Sequence, residues 1–498
     1  MKKYISEELT KEKIKGFTNE YIYLIGGECG SGKTTAIMTN LYEYAALKDK
    51  QILYLCNRST LEEQLIDEHL EEVKGHMEIA MYQSVTTSIE KNYSLPFHRM
   101  EYDFLVVDEA HLIFDSSDFD INPVLFVEYL NHFKGIILVL TGTPKGFKKL
   151  EPFLNRKIKT VREVNKMNHC VRNIYVTGNE IEFDEFKRNC IRNGDKNFEL
   201  TDKVKNFKDY KENNIGNSVA NIASIHRQDY NQIMSAYDKA VRKAIVGTQK
   251  MICEALIATS SMEVGINIIA EENYLVSYNY LPTESTIIQF ASRIRVKNQD
   301  EFYVDLIFLM KKPDKKIINK MKERLKKMKR NYKVYGDYEQ ICKRHNHCIG
   351  ERDSLDGIIA MRECNPITMK CLEEKIAFQE KFYESEQLLN SYTKLLNELY
   401  PNVPIICLEK MKIEKELDVL VKDSKSFTLI TREEKMEFRL KMKESGIKTR
   451  IKDGIPSINL INDFFEQYNI NYRIKQQRKR FDGNKDQTRY WAVEHVNY

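Results

Sequence analysis

Two short stretches of this chain hold residues whose types and spacing could do chemistry on phosphate. The first, YLIGGECGSGKTTA, fits G-x-x-x-x-G-K-[ST] at Gly27, Gly32, Lys33 and Thr34. An apolar run from Tyr21 to Ile25 precedes it, and a helix-compatible run from Thr35 to Tyr44 follows. Gly27, Gly30 and Gly32 let successive N–H groups turn toward an anion without Cβ clashes, and the helix beyond adds its positive end. Lys33 is spaced to reach the β- and γ-phosphates of a nucleotide. Thr34, followed by Thr35, is spaced to ligate Mg2+. The second stretch, FLVVDEAH, ends an apolar run in Asp108 and Glu109. Beside a phosphate loop, Asp108 can hold Mg2+ while Glu109 orients and deprotonates an attacking water, and the metal offsets the repulsion between the two acids. A further cluster, CKRHNHC, places Cys342, His345, His347 and Cys348 within seven residues. These are zinc-ligand types, but the spacing strains a tetrahedral site, and local helix and loop roles fit better.

Such groups need rigid strand ends to hold them. Apolar runs at 51–56, 102–109, 135–144, 171–178, 218–225, 254–260, 273–279 and 302–310 alternate with helical patterns. Continuous apolar strands separated by helices indicate parallel sheets covered on both faces. There are too many for one small sheet, so the expectation is two tandem α/β domains, 1–160 and 161–310. Residues 311–400 read as a basic helical region and 401–498 as a small α+β module.

At 498 residues the chain exceeds one core. Its net charge of +5 is small for that length, so any basic surface must come from local clustering. The N-terminus MKKYISEELTKEKIKGF lacks the apolar core of a secretory signal, and no run approaches the length a membrane helix needs. The ten cysteines are scattered, several of them in apolar runs. A reduced, cytoplasmic protein with no membrane contact is the expectation.

The order of motifs resembles that of superfamily 2 helicases of the DEAD/DEAH-box type. GGECGSGKTT resembles motif I and VVDEAH the DEAH form of motif II. LYLCNRSTLEEQ (53–64) and YQSV (82–85) resemble the next motifs of the first lobe, and TGTP (141–144) stands at motif III. ALIATSSMEVGINI (255–268) is similar to motif V and IIQFASRIR (287–295) to motif VI. The resemblance covers roughly residues 20–300 and implies two RecA-like domains, ATP as the nucleotide, and Mg2+. It implies that Arg58, Ser59, Gln83 and Ser84 line a nucleic-acid backbone in the first lobe, and Thr259 and Ser260 in the second. Thr143 would couple the lobes, and Gly265 and Asn267 would approach the nucleotide. Gln289, Arg293 and Arg295 would face the γ-phosphate, Arg293 being the first choice for the finger. Motif VI departs from the common pattern, since Ser292 replaces a glycine and the second arginine comes one residue early. That shorter form is similar to origin-binding replication helicases.

Residues 311–333 hold twelve Lys or Arg against two acids. A helix tracking phosphates and a solvated face both account for them. YRIKQQRKRFDGNKDQTRYWAVEHV (472–496) reads as a basic hairpin with its turn at DGNKD, and the helical INLINDFFEQYN precedes it. Helix then basic hairpin indicates a winged-helix-like module in which Arg478, Lys479 and Arg480 could meet phosphates. The implied activity is a nucleic-acid-dependent ATPase, a helicase or translocase, with DNA favoured over RNA. The alternative is an ATP-gated clamp or nucleoprotein remodeller that does not separate strands.

Overall fold

The computed structural model describes residues 4–27, 31–56, 75–91, 102–117, 123–163, 171–202, 204, 207, 218–223, 229–259, 267–296, 298, 300–335, 365–421, 426–445, 447, 449, 454–468, 470–479 and 488–496. Gly30, Arg58, Ser59, Ser260, Gly265, Arg480 and the Cys342–Cys348 cluster lie outside them.

The apolar runs form the parallel strands expected of them. The first sheet comprises β1 (Tyr21–Gly26), β2 (Ile52–Cys56), β3 (Met77–Met81), β4 (Phe104–Val107), β5 (Ile136–Thr141) and β6 (Lys157–Arg162). Its order is β3-β2-β4-β5-β1-β6, with every pair parallel. Helices cover both faces. Leu24, Leu105 and Val139 point into one core, and Ile25, Val106 and Leu138 into the other. This alternation is why both faces of these strands read as apolar.

The second sheet contains β7 (Val171–Thr177), β8 (Lys196–Leu200), β9 (Val219–Ile222) and β10 (Ala255–Ala258). A small parallel pair, β11 (Ile268–Ala270) and β13 (Ile294–Val296), stands apart from it. With β12 (Tyr274–Tyr278), β14 (Val304–Leu309) and β15 (Ile405–Cys407) the main sheet reads β15-β7-β14-β12-β8-β10-β9, again all parallel. Its edge strand therefore comes from beyond residue 400. The helix Leu388–Leu399 buries Leu389, Tyr392, Leu395 and Leu396 in the same core.

The basic stretch forms the helix Lys315–Tyr335, which packs Ile318 and Met328 on Met369, Leu372 and Ile376 of the helix Pro366–Tyr383. That second helix bridges the lobes. Its N-terminal half puts Ile367 and Cys371 into the first-lobe core, and Thr368 Oγ1 donates to Ser117 O at 2.9 Å. Lys375 Nζ donates to Asp115 O at 3.0 Å, and Glu374 pairs with Lys149. Its C-terminal half buries Phe382 in the second-lobe core.

The C-terminal module runs helix Leu408–Val421, β16 (Ser426–Leu429), helix Arg432–Glu444, helix Ile458–Gln467, then the hairpin β17 (Tyr472–Lys479) and β18 (Thr488–His495). β16 pairs antiparallel with β18, and β18 with β17. Three helices, a strand after the first, and a closing hairpin that captures that strand make a winged-helix order. Among the described residues no helix is long and apolar enough to cross a membrane.

Candidate nucleotide site between the lobes

The phosphate loop, the acidic pair and TGTP follow β1, β4 and β5, which are neighbours in the first sheet. They therefore meet at its carboxyl edge, the usual place for a ligand in such sheets. Gly27 N–H donates to Thr141 O at 3.1 Å and closes the loop onto β5. A Cβ on Gly27 would lie 2.4 Å from Ile5 Cδ1 and 2.5 Å from Ser31 Oγ, so a larger residue there would have to displace both side chains. Gly32 caps the next helix at φ 83°, the left-handed region. Lys33 is buried and donates Nζ to Gly27 O at 2.7 Å. Thr34 is half-buried and Thr35 exposed. The helix widens to π geometry over Ile37–Leu41 before it resumes.

Asp108 and Glu109 are both buried. Tyr54 Oη donates to Asp108 Oδ2 at 2.6 Å, and Glu109 N–H donates to Oδ1 at 2.9 Å. The Tyr82 hydroxyl donates to the Asp108 carbonyl. Burial, then the neighbouring Glu109 charge, pushes the Asp108 carboxyl up to about 6. For Glu109 burial acts upward too, but Lys33, His111, Arg293 and a hydrogen bond from the Gly142 backbone outweigh it and hold this acid below its ordinary value. Glu109 is thus ionised well below neutral pH, whereas Asp108 sheds its proton only a little below it, and a cation beside Asp108 would hold it ionised. Glu109 has φ 50°, a strained backbone for a side-chain-bearing residue, and its buried Oε2 lies 3.6 Å from His111 Nδ1 and makes no hydrogen bond among the described residues.

The second lobe completes the site. Arg293 and Asn267 stand just before β13 and β11, where Ile268 N–H donates to Arg293 O at 2.8 Å. Arg293 is 4% exposed and donates Nη1 to Asn267 Oδ1 at 3.4 Å. Its Nε and Nη2 have no partner among the described residues. Arg295, half-buried, lies within β13 opposite Ile269. Gln289, on the helix Glu284–Ala291, hydrogen-bonds His111 Nε2 with its side-chain amide. His111 Nδ1 lies 3.0 Å from Thr141 Oγ1, which accepts from Thr143 N–H at 3.0 Å. Burial holds His111 below its ordinary value, so the imidazole is neutral at pH 7. An amide N–H on Nε2 then fixes the proton on Nδ1, facing Thr141.

The resemblance gave the coupling of lobes to Thr143. Here the chain of hydrogen bonds runs through Thr141 and His111, two residues of the quoted motifs that had no assigned part. Gln83 and Ser84 are half-buried on the helix Tyr82–Lys91, and Thr259 is half-buried after β10. Arg478 and Lys479 are exposed on β17, where Arg478 stands directly opposite exposed Arg489. A like-charged pair in that position repels unless an anion lies over it.

Residues 20–149 match the family model described as Schlafen group 3, DNA/RNA helicase domain. The first lobe is similar to a helicase domain. That match meets the helicase resemblance read from the motifs, over the stretch from β1 to the turn after β5. No curated protein matches the sequence. Among solved structures, the chain is similar to Mss116p bound to ssRNA and AMP-PNP, at 12% identity over 77% of this chain and 90% of that one, with a TM-score of 0.46. S. cerevisiae Dbp5 bound to RNA and ADP BeF3 gives 13% identity over 73% and 90%, with a TM-score of 0.43. The DUF1998 helicase MrfA bound to DNA gives 14% over 64% and 50%, with a TM-score of 0.43, so the chain spans half of MrfA's length.

The pocket fits a nucleotide with its cation. A closely packed glycine loop meets a buried lysine, a buried carboxylate oxygen that makes no hydrogen bond, and two guanidinium nitrogens without partners among the described residues. Buried polar atoms without partners are rare in folded proteins and call for a ligand or water.

Proposed function

We propose that this chain is a nucleic-acid-dependent ATPase that acts as a helicase or translocase, on DNA in preference to RNA. The observation that carries the reading is the split pocket, with Lys33 and Glu109 on one wall and Arg293 and Gln289 on the other. Lys33 exchanges its bond to Gly27 O for the β- and γ-phosphates. Thr34 and Asp108 are the residues to hold Mg2+, which when bound offsets phosphate charge. Glu109 aims Oε2 at a water in line with the γ-phosphate and takes its proton. The free nitrogens of Arg293 meet the charge that develops on the phosphoryl oxygens. Because Arg293 and Glu109 belong to different lobes, hydrolysis requires closure.

The polynucleotide runs along both lobes, past Arg58, Ser59, Gln83, Ser84, Thr259 and Ser260, and meets the basic hairpin. The helix before the hairpin exposes Asn459, Asp463 and Glu466, so it repels phosphate, and the hairpin is the gripping element. A second reading, an ATP-gated clamp that does not separate strands, is favoured by the helix Pro366–Tyr383, because its docking on both lobes limits how far they part.

ATPase rates against single-stranded DNA, duplex DNA and RNA test the main reading. Stimulation, greatest with DNA, is expected, and a rate indifferent to all three overturns it. Displacement of a strand from forked DNA separates translocase from clamp. Glu109→Gln is expected to keep nucleotide affinity and to lose turnover by about 100-fold or more. A wild-type rate in that variant contradicts the assignment of the base.

A further inference from the structure

We propose that Tyr54 is a positioning residue that aims Asp108, a cation ligand of the nucleotide site, through a buried hydrogen bond to its carboxylate. The inference rests on the nucleotide reading above and adds to it a residue of the stretch 53–64 to which the resemblance gives no role.

Tyr54 lies in β2, in register with Val106 of β4, so its ring projects toward the turn where Asp108 begins. It is fully buried. A phenol has one proton, and Tyr54 gives it to Asp108 Oδ2 at 2.6 Å. The same phenol occupies one side of Asp108 Oδ2, while Glu109 N–H occupies Oδ1. The remaining lone pairs of Asp108 are left for the cation or its water. Tyr82 secures the other end of the residue, since its buried hydroxyl donates to the Asp108 carbonyl. Partners of this kind hold metal ligands in the orientation the metal requires.

The test is equilibrium binding of a fluorescent ATP analogue to the full chain, first in EDTA and then across a Mg2+ titration. Wild type, Tyr54→Phe and Tyr23→Phe are compared. Tyr23 is a buried tyrosine of the same sheet whose hydroxyl accepts from Thr18 N, and it serves as the control for losing a phenol oxygen. Tyr54→Phe is expected to match wild type in EDTA and to need about 10- to 100-fold more Mg2+ for half of its effect. Tyr23→Phe is expected to leave the Mg2+ midpoint in place. A Tyr54→Phe midpoint equal to wild type, in a protein that melts at the same temperature, overturns the proposal. If Tyr54→Phe does not fold, Tyr82→Phe reads the same grip at the Asp108 carbonyl; its midpoint is expected to rise, and an unmoved one overturns the proposal. If wild type binds the analogue in neither condition, the nucleotide reading itself has failed and takes this inference with it. If wild type binds and responds to Mg2+ but the variants respond alike, only the positioning role has failed.

Discussion

Glu109 shows at the scale of one residue how the site is held ready. Its positive φ is an uncommon conformation for a residue with a side chain, and the turn keeps it by bonding Ala110 N–H to Leu140 O at 3.1 Å. His111, two residues on, is a neutral buried base, and this gives a pH dependence of definite sign. Burial lowers its folded value beneath the ordinary 6.5. Above that pH neither the folded nor the unfolded chain holds the proton, and the full stabilisation is present. As the pH falls below it, the unfolded chain takes up a proton that the folded one refuses, and stability drops until the folded value is passed. Melting temperature is therefore expected to fall between about pH 7 and about pH 5 more steeply in wild type than in His111→Gln. Equal slopes would show that the imidazole is not what titrates.

Among the elements, the hairpin yields a prediction with two readouts of opposite sign. Arg489→Glu places an acid across from Arg478 in the β17–β18 pair. It is expected to stabilise the module by about 0.2–1 kcal/mol in thermal melts and to weaken polynucleotide binding, with a shallower salt dependence. A loss of binding accompanied by a loss of stability would mean damage to the fold instead. The hairpin was legible in the sequence because its arms alternate around a turn of Asp, Gly and Asn. The central strands were legible because both their faces are buried. β8 was not, because only one of its buried faces is apolar: Phe198 and Leu200 enter the core, while the other face carries Asn197 and Glu199. Asn197 accepts from Ser277 at 2.5 Å, and Glu199 pairs with Lys187 at 2.8 Å, contacts that no hydrophobic pattern reports. β15 was hidden by its three-residue length and by its distance in sequence from its partner β7. Within the site, the motifs marked Lys33, Asp108, Glu109 and Arg293. Tyr54 read as one more apolar strand residue, and the bond between His111 and Gln289 depends on how two lobes dock.

For the whole molecule, the chain folds back on itself in ways that a division into successive segments does not describe. Glu409, at the start of the C-terminal module, accepts from Thr177 Oγ1 at 2.9 Å and from Gly178 N–H at 2.6 Å, beside the seam where β15 joins β7. Ending the chain at residue 400 removes all of this, and is expected to lower the melting temperature of what remains and its ATPase rate together. A truncated chain that melts like wild type would show that the second lobe is complete without β15. The role of the hairpin in binding is accordingly read from surface substitutions. The central claim is that one pocket is shared between two lobes, and its most direct measurement is single-turnover ATP hydrolysis by Arg293→Ala with polynucleotide present, nucleotide affinity being measured alongside. The account predicts a loss in rate of about 1,000-fold or more with affinity little changed, since this guanidinium acts on charge that develops during transfer. Hydrolysis at the wild-type rate would contradict it.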